Sequence, residues 1–161
     1  MKEFRIGQGY DVHQMREGLP MWLCGQKIDS AYGFVAHSDG DVPVHALCDA
    51  LLGALALGDI GHFFPDSDPR YKGISSIALL RDVADKIRPW TVENVDITLA
   101  LQAPKIAPYL GEMRRCLADA LGVEPDRVSI KATTTEHLGF VGRLEGCQAW
   151  AVAMLSRERG E

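Results

Sequence analysis

Phe4-Arg5-Ile6-Gly7-Gln8-Gly9-Tyr10-Asp11-Val12-His13 decides the fold. Phe4, Ile6, Tyr10 and Val12 fall on one side of this run, and Arg5, Gly7, Gly9, Asp11 and His13 on the other. A period of two predicts a strand. It puts Asp11 and His13 on one face, together with glycines and charges rather than with core residues. Working outward, Met21–Cys24 and Lys27–Ile28 predict a short hairpin around Gly25. Asp41 to Leu57 reads as a helix. Asp39 or Asp41 can cap it, Pro43 suits its first turn, Val44, Leu47, Leu51, Leu52 and Leu55 form its apolar face, and Gly58 stops it.

Residues 59–73 read as loop, punctuated by Gly61, Pro65, Pro69 and Gly73. A second helix is expected over Ser75–Ile87 and a third over Ala107–Leu121, closed by Gly122. Val95, Ile97, Leu99 and Leu101 alternate as a strand. Val128, Ile130 and Ala132 begin another, and Gly146 to Leu155 form the last. Strands alternating with helices predict an α/β (α+β) architecture. It is a single domain over residues 1–161, with a mixed four-stranded sheet, helices on one face and a short hairpin.

The chain has 161 residues, 47% apolar and 24% charged, the balance of an ordinary globular domain. A formal charge of −5 disfavours nonspecific binding to nucleic acid or to an acidic membrane. No apolar run is long enough to span a bilayer, and no signal-peptide h-region is present. Cys24, Cys48, Cys116 and Cys147 form no Cys-x-x-Cys pair and fit a reducing, cytoplasmic setting. A plastid location is expected only if a transit peptide has been removed.

Three of the five histidines fall between Gly9 and Asp49, among several carboxylates. Imidazole plus carboxylate is the ligand set of zinc or a similar divalent transition metal. Asp11 and His13 on a strand, with His45 one turn into a helix, make three protein ligands and leave a fourth position open, as in catalytic zinc sites. Asp49, four residues after His45, is placed to orient the imidazole. The alternative is a turn cap, a surface histidine and a helix histidine with a backbone partner.

Three further stretches carry candidate chemistry. His37-Ser38-Asp39-Gly40-Asp41 leads into a helix N-terminus, which favours anions; a plain capping loop explains Ser38, Asp39 and Gly40 equally well and His37 less well. In Asp59-Ile-Gly-His-Phe-Phe-Pro-Asp-Ser-Asp-Pro69, Asp59 and Asp66 can bind the hydroxyls of a polyol, or the stretch is a surface loop with Phe63 and Phe64 to bury. Lys131-Ala-Thr-Thr-Thr-Glu136 offers hydroxyls, amides and a cation for a phosphate, and a carboxylate for magnesium. A strand rich in β-branched residues accounts for the threonines but not for Glu136. Gln102-Ala-Pro-Lys105 ends the preceding strand in a similar position.

Taken in order, Gly9-Tyr-Asp11-Val-His13, His37-Ser-Asp-Gly-Asp-Val-x-x-His45-Ala-Leu-x-Asp49, Gly58-Asp-Ile-Gly61, Phe64-Pro-Asp-x-Asp68-Pro, Gln102-Ala-Pro-Lys105 and Lys131-Ala-Thr-Thr-Thr-Glu136-x-Leu-Gly-Phe140-x-Gly-Arg-x-Glu145-Gly resemble the 2-C-methyl-D-erythritol 2,4-cyclodiphosphate synthase family of non-mevalonate isoprenoid biosynthesis. The resemblance runs from Arg5 to Leu155. It implies a cyclising lyase that converts 4-diphosphocytidyl-2-C-methyl-D-erythritol 2-phosphate to the cyclic diphosphate and CMP. It also implies a homotrimer with active sites between subunits. Zinc would sit on Asp11, His13 and His45, and magnesium or manganese on Glu136 and the substrate diphosphate.

By the same resemblance, His37, Ser38, Asp59, Gly61, Phe64, Asp66 and Asp68 would line the methylerythritol phosphate pocket. Ala103, Pro104, Lys105, Ile106, Ala132, Thr133 and Thr134 would hold the cytidine and its phosphates. His37, Lys105 and Thr134 would act at the reacting groups. Phe140 and Arg143 would border an axial cavity able to take an isoprenoid diphosphate. His137 and Leu144 depart from the family's common lysine and glycine. Two other readings use the same residues: a zinc-dependent phosphohydrolase, and a non-catalytic nucleotide- or isoprenoid-binding trimer.

Overall fold

A computed structural model describes residues 1–65 and 67–159. The strands are β1 (Lys2–Glu17), β2 (Met21–Leu23), β3 (Gln26–Ile28), β4 (Tyr32–Val35), β5 (Thr91–Ala100), β6 (Val128–Thr133) and β7 (Gly146–Glu158). The helices are α1 (Val42–Ala54), α2 (Ile60–Phe63), α3 (Ser76–Lys86), α4 (Leu110–Leu121) and α5 (Gly139–Gly142). The main sheet has five strands, not the four expected, in the order β4-β1-β7-β5-β6, and β2-β3 form a separate hairpin. The added strand is β4, which pairs antiparallel with the far end of β1. It is only four residues long and includes Gly33, so it leaves little periodic signal. β5 and β6 are parallel; every other neighbouring pair is antiparallel.

The faces of β1 are the reverse of a simple hydrophobic reading. Gly7 and Gly9 are buried, while Phe4, Ile6, Tyr10 and Val12 are 50%, 69%, 46% and 43% exposed. A Cβ on Gly7 would lie 1.9 Å from the Ala50 carbonyl oxygen, and one on Gly9 1.9 Å from that of Ala46. Helix α1 therefore lies directly on the strand backbone. The neighbouring β7 continues this small-residue floor with the buried Ala149, Ala151 and Ala153. Leu47, Leu51 and Leu52 of α1, Leu80 and Val83 of α3, and Met113 and Leu117 of α4 complete the core above the sheet.

Helix α1 ends at Ala54, earlier than Leu57. The stretch 59–73 is not all loop: it holds α2 and a 3-10 turn at Pro69–Tyr71. Phe63 and Phe64 find partial burial against the core, and Phe64 meets the Tyr71 ring edge-on at 5.4 Å. Gly122 closes α4 in the left-handed conformation at φ 69°.

Asp41, rather than Asp39, caps α1. It is fully buried and joins the helix to the β2–β3 turn. Its Oδ1 accepts from Cys24 N at 2.8 Å and Val44 N at 3.4 Å, and its Oδ2 from Gly25 N at 2.8 Å. Burial pushes its carboxyl up to about 7, against the pull of the Gly25 and Cys24 amides. Asp41→Asn turns a donor toward one of these amides and is expected to destabilise by about 1–3 kcal/mol in urea unfolding. Between the unfolded value of roughly 4 and about 7 the folded state binds the extra proton. Asp41's contribution is therefore complete in acid and lost as pH rises through that window. The stability gap between wild type and variant should shrink on going from about pH 5 to pH 7.

Candidate functional site

The glycine floor that admits α1 also brings His45 down onto the end of β1. Asp11 Oδ2 lies 3.0 Å from His13 Nδ1 and 3.1 Å from His45 Nδ1. The three ligand atoms fall within 4.8 Å of one another. Burial pushes the Asp11 carboxyl up, but the two histidines outweigh it and hold it below the usual range. Burial pushes His45 down, but the hydrogen bond to Asp11 and that carboxylate's charge raise it overall.

His13 Nδ1 is buried and has no hydrogen-bond partner of proper geometry among the described residues, although Asp11 Oδ2 is close. A buried nitrogen lone pair left over beside a carboxylate and a second imidazole is what a divalent cation satisfies. The residues present fit such an ion.

The helix spacing predicts that Asp49 orients His45, but its carboxylate is bonded elsewhere. Its Oδ1 accepts from Ile60 N at 2.8 Å and fastens the start of α2. Both nitrogens of the His45 ring are already engaged. Nδ1 faces Asp11, while Nε2 lies 2.8 Å from Ser76 Oγ and 3.3 Å from Ser38 Oγ. Ser76 carries no signal in the sequence beyond the start of a helix.

A cavity of about 330 Å³ opens over the triad. His37, Ser38, Gly61 and Phe64 line it, and Ile60, Tyr71, Ile74 and Leu79 join them as apolar wall. His37 Nε2 is buried without a partner among the described residues. Asp59 is absent from the described lining: its Oδ1 caps α2 by accepting from His62 N at 3.0 Å. Asp68 is absent too and is paired with Arg70. Asp66 lies outside the described residues.

A second cavity, of about 220 Å³, sits at the ends of β5 and β6. Parallel pairing brings Leu99 beside Ala132 and Ala100 beside Thr133, so the loops leaving both strands meet at one edge of the sheet. Pro104, Lys105, Ile106, Ala132, Thr133 and Thr134 line it; Ala103 is not part of the described lining. Glu136 lies outside the Asp11 cluster, and its Oε1 accepts from Thr134 Oγ1 at 3.1 Å. Phe140 packs against Gly146, and Arg143 pairs with Glu145 at 3.1 Å. Leu144 has φ 60°, a conformation that favours glycine.

In register, Asp11 pairs with Ala149, Ala149 with Leu99, and Leu99 with Ala132. Three strand spacings separate the two ends of this row, roughly 14 Å. Within one chain, then, the cation cluster and the second cavity are distinct.

A family model described as the YgbB family matches residues 4–156. A protein named 2-C-methyl-D-erythritol 2,4-cyclodiphosphate synthase, from Methylococcus capsulatus, is 59% identical over 156 residues, covering 96% of this chain and 99% of the relative. A solved structure of 2C-methyl-D-erythritol-2,4-cyclodiphosphate synthase in its CDP-bound form matches with a TM-score of 0.86 at 40% identity, covering 94% of this chain and 99% of that one. The bifunctional IspDF from Campylobacter jejuni matches with a TM-score of 0.93 at 41% identity; the match covers 98% of this chain but only 43% of that protein's length.

Proposed function

The chain belongs to the YgbB family of 2-C-methyl-D-erythritol 2,4-cyclodiphosphate synthases, and from that premise we infer how its own residues carry out the reaction. The chain is an enzyme, a cyclising lyase of isoprenoid biosynthesis. It converts 4-diphosphocytidyl-2-C-methyl-D-erythritol 2-phosphate to the 2,4-cyclodiphosphate and CMP. An oxygen of the 2-phosphate attacks the β-phosphorus. The bond from that phosphorus to the bridging oxygen breaks, and CMP leaves with the electron pair. No protein nucleophile is needed, because the substrate carries its own.

The difficulty is repulsion between two phosphoryl groups, so the protein's task is to position them and offset their charge. A divalent ion held by Asp11, His13 and His45, zinc being the best match to the donor set, supplies part of that neutralisation. A second ion, magnesium or manganese, is expected with Glu136 and the diphosphate. His37, Ser38 and Gly61 hold the methylerythritol phosphate against the apolar wall. The polyol contacts assigned to Asp59 and Asp68 require those carboxylates to leave their present partners. Lys105 and the Thr133–Thr134 hydroxyls meet the nucleotide phosphates, with Pro104, Ile106 and Ala132 beneath the cytidine. The observation that carries this reading is the Asp11–His13–His45 cluster at the floor of a cavity wide enough for a phosphorylated polyol.

Residues 1–161 act as one synthase-like domain and assemble as a trimer. Support for the trimer comes from the open sheet face, where Phe4, Ile6, Tyr10 and Val12 on β1 adjoin the 43%-exposed Val152 on β7. A largely apolar sheet face of this kind, interrupted by Gln8 and Gln148, needs a cover. A neighbouring copy would also bring its nucleotide cavity to this chain's cation cluster, which one chain keeps apart. Ile6→Asp is expected to reduce the particle from three times the 17.7 kDa chain mass to one, read by light scattering, and to lose activity with it. Phe140 and Arg143 would then face the trimer axis, and an isoprenoid diphosphate is the ligand expected there. No helix among the described residues is long and apolar enough to cross a membrane, and a cytoplasmic location fits the reduced cysteines.

The test is a mass spectrum of the reaction with zinc and magnesium. One CMP should appear per cyclic diphosphate, with no oxygen incorporated from labelled water. A linear, water-derived product would replace this reading with a phosphohydrolase.

A further inference from the structure

We propose that Ser76 and Asp39 are positioning residues that fix which nitrogen of His45 faces the cation. The inference rests on the metal reading above and adds to it a hydrogen-bond relay that the ligand motif does not contain.

Asp39 Oδ2 accepts from Ser76 N at 2.8 Å, and Oδ1 accepts from Asp41 N at 3.1 Å. These two amides orient the carboxylate. Ser76 Oγ donates a hydrogen bond to Asp39 Oδ1. A carboxylate only accepts, so the single hydroxyl proton of Ser76 is committed to Asp39. What Ser76 has left to offer is lone pairs. His45 Nε2 lies 2.8 Å from that oxygen and must be the donor. Ser38 Oγ, 3.3 Å from the same nitrogen, accepts from Gly40 N at 3.2 Å and gives a weaker second acceptor.

In a neutral ring, a proton held on Nε2 leaves Nδ1 bare. Nδ1 is the nitrogen turned toward Asp11. Metal-binding histidines depend on a partner at the far nitrogen for both tautomer and direction. Here a serine passes a carboxylate's preference on to the ring. The geometry also couples three elements: Asp39 sits in the loop before α1, Ser76 opens α3, and both close on a side chain of α1. Ser76 is fully buried, so water does not substitute for its hydroxyl.

The test uses the full chain. Zinc affinity is measured by competition with a chromophoric chelator. The His45 Nε2–H is followed in the cobalt(II)-loaded protein as a shifted proton resonance that disappears in deuterium oxide. Wild type should show a slowly exchanging proton. Ser76→Ala should weaken zinc about 10- to 100-fold and speed that exchange, whereas Ser76→Thr should keep both near wild type. If Ser76→Ala unfolds, Asp39→Ala takes its place. With no carboxylate to receive it, the serine proton is free to turn toward Nε2, and both the slow signal and zinc affinity should fall. Unchanged affinity in these variants overturns the proposal, as does lost affinity with exchange unaltered. A wild-type chain that binds no divalent ion overturns the metal reading itself, an outcome distinct from failure of the relay.

Discussion

His45→Ala should release the bound divalent ion on dialysis and reduce turnover at least ~10³-fold, the equivalent of several kcal/mol of lost charge stabilisation at the reacting phosphates. The reason is geometric. Asp11 and His13 are neighbours on one strand, and two such groups do not enclose an ion. The third ligand comes from across the sheet–helix interface, held by Ser76 on its far side. Metal content by elemental analysis and CMP release by chromatography give the two readouts. Circular dichroism and hydrodynamic size should stay those of the parent, because the α1 contacts with β1 and β7 depend on glycines and alanines rather than on this imidazole. Retained zinc with full activity would show that the cluster is not the reaction centre.

The second large effect is expected from a single methyl group. Gly9→Ala places a Cβ 1.9 Å from the Ala46 carbonyl oxygen and 2.7 Å from Ala50 N. Real Cβ atoms do not approach below 3.0 Å, so α1 must lift by about an ångström. Both atoms belong to a helix backbone, which has no rotamer to yield. Overpacking against such a wall should destabilise by about 3 kcal/mol or more in chemical unfolding. Ala46 adjoins His45, so the lift also draws the third ligand away from Asp11, and zinc affinity should fall with stability. Gly7→Ala meets Ala50 one turn farther along α1. It should lose similar stability with less effect on zinc. Gly53→Ala is the contrasting case: its Cβ would meet only Gln8 O at 3.8 Å, and relief of helix-interior glycine should stabilise by roughly 0.5–1 kcal/mol. Equal behaviour of all three variants would refute the floor-and-helix geometry.

Much of this was legible in the chain. Period-two and period-3.6 patterns place β1, α3, β5, α4 and β6 to within a few residues, because their apolar side chains recur regularly over several turns or pleats, whereas α1 and β7 are apolar nearly throughout and are bounded by their flanking turn residues. The Asp-x-His spacing was equally readable, since residues two apart on a strand share a face whatever else the chain does. Three short elements, β4, α2 and α5, are not legible because four residues hold too little periodicity to rise above a loop. The role of Asp49 is not legible in the sequence for a different reason. Helical spacing puts it on the same side as His45 but says nothing about Ile60 N, which arrives from outside the helix and claims the carboxylate.

The sequence by itself determined which residues can bind a cation and which segments can form strands and helices, because both follow from local chemistry and local period. Only the tertiary structure decided which side of β1 faces inward. Residue hydrophobicity favours Phe4, Ile6, Tyr10 and Val12, yet the buried side is the one with Gly7 and Gly9, because only there can a helix backbone rest against the strand. That same contact seats His45 beside Asp11 and carries Ser76 and Asp39 to its far nitrogen, a meeting of residues up to 65 positions apart that no local pattern encodes.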